Sequence, residues 1–166
     1  QKEYNLAGII LSSPCFGTLI QPPKLLDAMS RVLNLVYPTY KKNTGLTIEM
    51  ATRNPEVIEF DLNDSLYITS VSVRWYRELV AAMQDAFDFD EDFPDIPVLV
   101  MQAGDDKIVD KAMVREWFNY FPASEKLYKE WPKLYHEIFN EPEREDVFLY
   151  AKSFIEARLR NIGYIV

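Results

Sequence analysis

Basic residues are outnumbered in this chain: 18 lysines and arginines against 26 aspartates and glutamates leave a net charge of -8. A nucleic-acid backbone is therefore repelled, so no nucleic acid is expected as a partner, and an anionic membrane surface is a poor electrostatic match. Cysteine occurs once, at Cys15, which excludes an intrachain disulfide framework. Histidine also occurs once, at His136, which leaves too few ligands for a zinc site, and no metal or other cofactor is expected. Long apolar runs are missing. The longest, around residues 6–11 and 96–103, have the length of a strand and fall far short of a membrane span. No repeat or low-complexity tract stands out, and no Gly-x-Ser-x-Gly turn, the device that lifts a serine nucleophile above an α/β sheet, occurs anywhere.

What is present suits one globular domain. The 166 residues are 48% hydrophobic and 14% aromatic, enough to bury a core. The short apolar run over 6–11, closed by Ser12-Ser13-Pro14, reads as a strand buried on both faces, as in a parallel sheet. After a loop over 15–23, apolar residues at helical spacing predict a helix over 23–36 with proline in its first turn. Residues 37–62 read as irregular, broken by Pro38, Gly45 and Pro55. Capping residues from Thr69 onward predict a helix reaching Ala86, followed by an acidic connector over 87–97. The remainder alternates: strand 98–102, helix 111–120, strand 126–131, a loop around His136, and helix 142–160. That rhythm predicts parallel βαβ units, and residues 17–65 interrupt it as an insertion over the sheet.

The chemistry gathers in two places. The run Pro97-Val-Leu-Val-Met-Gln-Ala-Gly-Asp-Asp-Lys-Ile-Val-Asp110 delivers acids to a loop after a strand, and Tyr135-His136-Glu137 follows the next strand. Groups on loops at the carboxyl ends of parallel strands share one rim, where ligands bind. A carboxylate and an imidazole placed so are the acid and base of a nucleophilic triad. Asp110 reads as the cap of the helix starting at Lys111, while spacing does not decide between Asp105 and Asp106. The same pattern also describes an ordinary acidic turn and an ordinary loop histidine, and spacing leaves that open as well.

At these residues the chain resembles the monoacylglycerol lipase and lysophospholipase family of α/β-hydrolases. The resemblance lies in Gln102-Ala-Gly-Asp-Asp-Lys-Ile-Val-Asp110, in His136-Glu-Ile-Phe-Asn-Glu141, in the opening Gly8-Ile-Ile-Leu-Ser-Ser-Pro14, and in Ser72-Val-Arg-Trp-Tyr-Arg-Glu-Leu, similar to the end of a cap insertion. It implies that Asp106 is the triad acid and His136 the base. The implied fold class is α/β: the C-terminal part of an α/β-hydrolase doubly wound parallel sheet with a helical cap insertion. The implied division is a core strand over 1–16, a cap or lid over 17–68, and a C-terminal core over 69–166 carrying both triad residues.

The departure is at the front. Members of that family carry earlier strands, an oxyanion-hole segment and a serine elbow, none of which is in this sequence, so the nucleophile is expected upstream and the chain alone is expected to be inactive. Cys15, in Ser13-Pro-Cys15-Phe-Gly17, is a weak substitute, because proline-rich sequence rather than a helix follows it. The apolar residues Ile20, Leu33, Val36, Ile108 and Val109 are expected to line an acyl-chain site. The expected substrate is a lipid ester, lysophospholipid or monoacylglycerol. The other expected partners are the missing N-terminal half of the same protein and a second copy in a homo-oligomer. The expected setting is cytoplasmic or peripheral to a membrane. A non-catalytic interaction domain, a peptidase and a small-ester carboxylesterase are the competing readings.

Overall fold

The computed structural model describes residues 6–89 and 95–165. In order they form strand β1 (Ile9–Ser12), helix α1 (Lys24–Val36), strand β2 (Lys41–Asn43), helices α2 (Ile48–Ala51) and α3 (Pro55–Leu62), strand β3 (Ser70–Ser72), helix α4 (Val73–Asp85), strand β4 (Val98–Ala103), helix α5 (Lys111–Tyr120), strand β5 (Lys126–Trp131) and helix α6 (Arg144–Asn161). Part of the expected acidic connector, residues 90–94, lies outside the described residues.

Strands β1, β4 and β5 make a parallel sheet with β4 in the middle. Every residue of β4 is buried, and its sequence, apolar except for Gln102, suits a strand covered on both faces. Alternate side chains feed two cores. Val98 and Val100 pack with Val109, Val114, Trp117 and Phe121 beside α5. Leu99, Met101 and Ala103 pack with Leu134, Ile138, Val147, Ala151 and Phe154 beside α6. Each large aliphatic buried this way contributes on the order of 1.5–3 kcal/mol, which is why the sheet holds with so few strands. β1 starts three residues later than the sequence predicts and is only half-buried, since among the described residues β4 flanks it on one side alone.

The segment over 37–62 is not irregular. Asn54 accepts a hydrogen bond from the Glu56 N–H, Pro55 occupies the first turn, and α3 follows from that local chemistry. The short strand β2 pairs antiparallel with β3, Lys41 opposite Ser72, which takes residues 70–72 out of the expected helix. α4 therefore begins at Val73, with the Ser72 hydroxyl accepting from the Trp75 N–H at 3.1 Å. α1 packs on α4, where the Asp27 carboxylate meets Arg77 at 2.7 Å. These contacts join β3 and α4 to the elements that precede them.

Parallel strands end on a common rim, and the chain leaves β4 and β5 side by side there, Ala103 opposite Trp131. The Gly104 N–H donates to the Trp131 carbonyl at 2.8 Å and the Asp105 N–H to the Leu134 carbonyl at 3.0 Å. A Cβ at position 104 would sit 2.7 Å from the Trp131 carbonyl oxygen and 2.9 Å from the Pro132 Cα, both backbone atoms with little freedom to retreat. Gly104→Ala should therefore destabilise the protein by about 1–3 kcal/mol. Chemical denaturation should show this as a lower midpoint at unchanged slope, and an unchanged midpoint would contradict the close approach.

Candidate active site

The acid loop is built from the end of β4. Asp106 turns its side chain back onto its own loop, where one oxygen, Oδ1, accepts the N–H groups of Ile108 and Val109, each at 2.9 Å. The other oxygen, Oδ2, lies 3.0 Å from His136 Nδ1 and accepts from Gln102 Nε2 at 3.2 Å. Burial pushes this carboxyl up, but the hydrogen bonds from His136 and from the two backbone amides outweigh it and hold the group below its ordinary value. The neighbouring Asp105 is exposed and pairs with Lys107, so the geometry separates two acids that spacing left equivalent. Asp110 caps α5, accepting from the Ala112 N–H at 2.9 Å.

His136 sits on the loop after β5. Leu134 and Ile138, two positions to either side, are buried in the α6-side core, so the loop arches outward with the histidine between its anchors. The imidazole is 25% exposed while the Asp106 side chain is 1% exposed, an arrangement in which a buried anion backs a reachable base. The ring of Tyr135 lies between Arg53, 5.8 Å away, and Lys107, 5.0 Å away. Glu141, fully buried, accepts the Tyr135 N–H at 3.0 Å. Neither Gln102 nor Glu141 has a role in the reading of the sequence. The signal for Gln102 was a lone amide inside an otherwise apolar strand.

The expected substrate-contacting residues divide. The Leu19 N–H donates to the Ile108 carbonyl, which places the start of the insertion along the acid loop with Ile20, 58% exposed, next to it. Ile108 is half-buried there. Leu33 is half-buried on α1, and Val36 is 74% exposed at its end. Val109 does not belong with them. It is 1% exposed, and its side chain packs with Val98, Val100 and Val114 in the α5-side core.

Cys15 is held as a thiol: burial and the negative charge of Asp106 both raise its pKa. Its sulfur lies 3.8 Å from the Met83 sulfur, and the next helix does not begin until Lys24, so the chain offers no elbow there. Ser13, buried and at φ 40°, uses its hydroxyl to accept the Ala103 N–H at 3.2 Å. Among the described residues there is no group of three metal-binding side chains.

Because the folded protein lowers the pKa of Asp106, and of Glu141 likewise, each carboxylate adds stability above the unfolded value, about 4, and that contribution is lost as pH falls through the folded value. Urea midpoints should accordingly drop between pH 6 and pH 3, and Asp106→Asn should make that drop shallower. An equal slope in both proteins would remove Asp106 from the acid-sensitive set.

Comparison with known proteins agrees with this architecture. A family profile described as serine aminopeptidase, S33, matches residues 1–143. Phospholipase YtpA of Bacillus subtilis (strain 168) is 56% identical over 156 residues, which is 94% of this chain and 60% of that protein. The crystal structure of a monoacylglycerol lipase from Paleococcus ferrophilus superposes with a TM-score of 0.82 at 24% identity, over 92% of this chain and 60% of that one. A soluble variant of the monoglyceride lipase of Saccharomyces cerevisiae, in complex with a substrate analog, gives 0.76 at 21% identity, over 92% and 54%. At such identities the two structures speak for the fold, which is that of the α/β-hydrolases. The chain spans 60% of the length of the curated phospholipase it matches. With its sheet, its rim and most of its length accounted for, the chain belongs to the serine aminopeptidase S33 family of α/β-hydrolases.

Proposed function

We propose that this chain supplies the base, His136, and its orienting acid, Asp106, to a serine ester hydrolase acting on a lipid monoester, with the nucleophile contributed by a segment of the protein outside the chain. The observation that carries the reading is the 3.0 Å contact between His136 Nδ1 and Asp106 Oδ2 on neighbouring strand ends. A carboxylate there keeps the Nδ1 proton in place, so that Nε2 is the nitrogen that takes a proton from a serine hydroxyl as its oxygen attacks the ester carbonyl. The imidazolium so formed, facing a buried anion, returns the proton to the departing alcohol. A water molecule then repeats the sequence to release the fatty acid. The acid needs no proton of its own in this cycle, which suits a carboxyl held ionised by four donors.

A lipid substrate, lysophospholipid or monoacylglycerol, is supported by the named activities of the phospholipase and lipase relatives. It is also supported by the apolar side chains of Ile20, Leu33, Val36 and Ile108, which we assign to the acyl-chain path over a cap formed by residues 17–68. No helix among the described residues is long and apolar enough to cross a membrane. The family description favours a second reading, an aminopeptidase on the same pair of residues.

Both readings are separable on the full-length protein. Hydrolysis of monooleoylglycerol and of lysophosphatidylcholine should exceed that of an aminoacyl p-nitroanilide. Asp106→Asn should lower kcat by about 10⁴-fold, the loss known for the wrong imidazole tautomer in a serine triad, and His136→Ala by a similar factor. Anilide cleavage outpacing ester cleavage would transfer the assignment to the peptidase, and near-normal turnover in either variant would end the triad reading.

A further inference from the structure

Glu141 is a carboxylate placed where a carboxylate is expensive, fully buried in the loop that follows the histidine. Its Oε1 accepts from the Thr52 hydroxyl at 2.8 Å and from the Arg53 N–H at 2.6 Å. Its Oε2 accepts from Arg53 Nε at 2.7 Å and from the Tyr135 N–H at 3.0 Å. Each oxygen thus meets two donors, and neither a protonated carboxyl nor an amide could take its place without setting donor against donor. Arg53 completes the cluster by reaching Glu143 at 2.6 Å.

The bonds converge on the backbone around the base. Tyr135 immediately precedes His136. On the other side the Glu137 N–H donates to the Ala51 carbonyl at 2.8 Å. Asn140, next to Glu141, accepts at its carbonyl from Asn54 Nδ2 at 3.0 Å. The peptide after the histidine is therefore fastened directly to Ala51, and the one before it reaches Thr52 and Arg53 through Glu141, which lies 88 positions from Arg53 in sequence; residues 51–54 belong to the insertion.

We infer that Glu141 is a positioning residue that clamps the histidine loop to residues 51–53 of the insertion, so that the imidazole meets Asp106 at the distance the insertion sets. The inference rests on the proposed role of His136 as base. Glu141 acts through that residue, since its hydrogen bonds go to the neighbouring backbone and to the insertion.

The test uses the full-length protein and p-nitrophenyl butyrate, a short ester that makes little demand on an acyl-chain site. Glu141→Gln should lower kcat by about 10²-fold and Thr52→Val, which removes one donor and keeps the shape, by about tenfold, with KM within about twofold in both. In a His136→Ala background neither substitution should lower the residual rate further, because the residue they position is gone. If Glu141→Gln does not fold, Thr52→Val carries the same comparison. Wild-type kcat in Thr52→Val and Glu141→Gln, or losses that multiply with that of His136→Ala, would overturn the clamp. A His136→Ala protein that keeps the wild-type rate would overturn the underlying reading, and the two failures are told apart by that single control.

Discussion

Strands β4 and β5 run parallel and in register to their ends, and what happens at the next residue decides whether the acid and the base can meet. A chain leaving β4 with any side chain would be pushed off the β5 backbone, because a Cβ there would press on the Trp131 carbonyl and the Pro132 Cα. Gly104 lets the two loops stay within hydrogen-bonding distance for one more step, through its own N–H and that of Asp105. Asp106 and His136 stand directly beyond that seam. Their contact is the consequence of a backbone approach, and the sheet register transmits it from the buried middle of β4 to the rim.

Burying a carboxylate is unfavourable unless donors replace its water, and the two acids buried among the described residues, Asp106 and Glu141, solve the problem differently. Asp106 is satisfied mainly from its own neighbourhood: two N–H groups two and three residues ahead, and Gln102 four residues behind. Its orientation is fixed once its loop is folded. Glu141 takes most of its donors from Thr52 and Arg53, which belong to another part of the chain. The Asp106 carboxylate is oriented locally, and the loop that carries His136 is supported from a distance. An imidazole so supported is rigid only as far as the segment beneath it is.

The local half of this was readable in the sequence. The bounds of α5 and β5 follow from apolar periodicity, and Asp110 is legible as a cap because capping is a matter of a few adjacent residues. Asp106 and His136 could be placed on one rim because strand parity and loop position suffice for that. What escaped was non-local. The short pairing of β2 with β3 has no period to detect, and it is held by partners some thirty residues apart. Val109 follows Ile108 in sequence, looks equally apolar and donates its N–H to the same Asp106 oxygen, and only the packing of its side chain with Val98, Val100 and Val114 reveals it as core. Glu141 is a surface residue by type, and nothing near it in sequence announces Thr52 or Arg53.

The segment from Gly17 to Ala86 is hydrogen-bonded to both loops of the rim and to α5. Its first residues are bonded to the acid loop, Leu19 to Ile108 and Asp110 to Gly17. Its middle is bonded to the histidine loop through residues 51–54. Its final helix is tied down by Trp117, whose indole N–H donates to the Ala86 carbonyl at 2.8 Å. A displacement of the insertion must break these bonds or carry the two loops with it. Each peptide hydrogen bond left unmade in the interior costs about 1–3 kcal/mol, so carrying the loops is the less expensive course over small movements. Residues 17–54 and the Asp106–His136 pair therefore share one hydrogen-bonded frame.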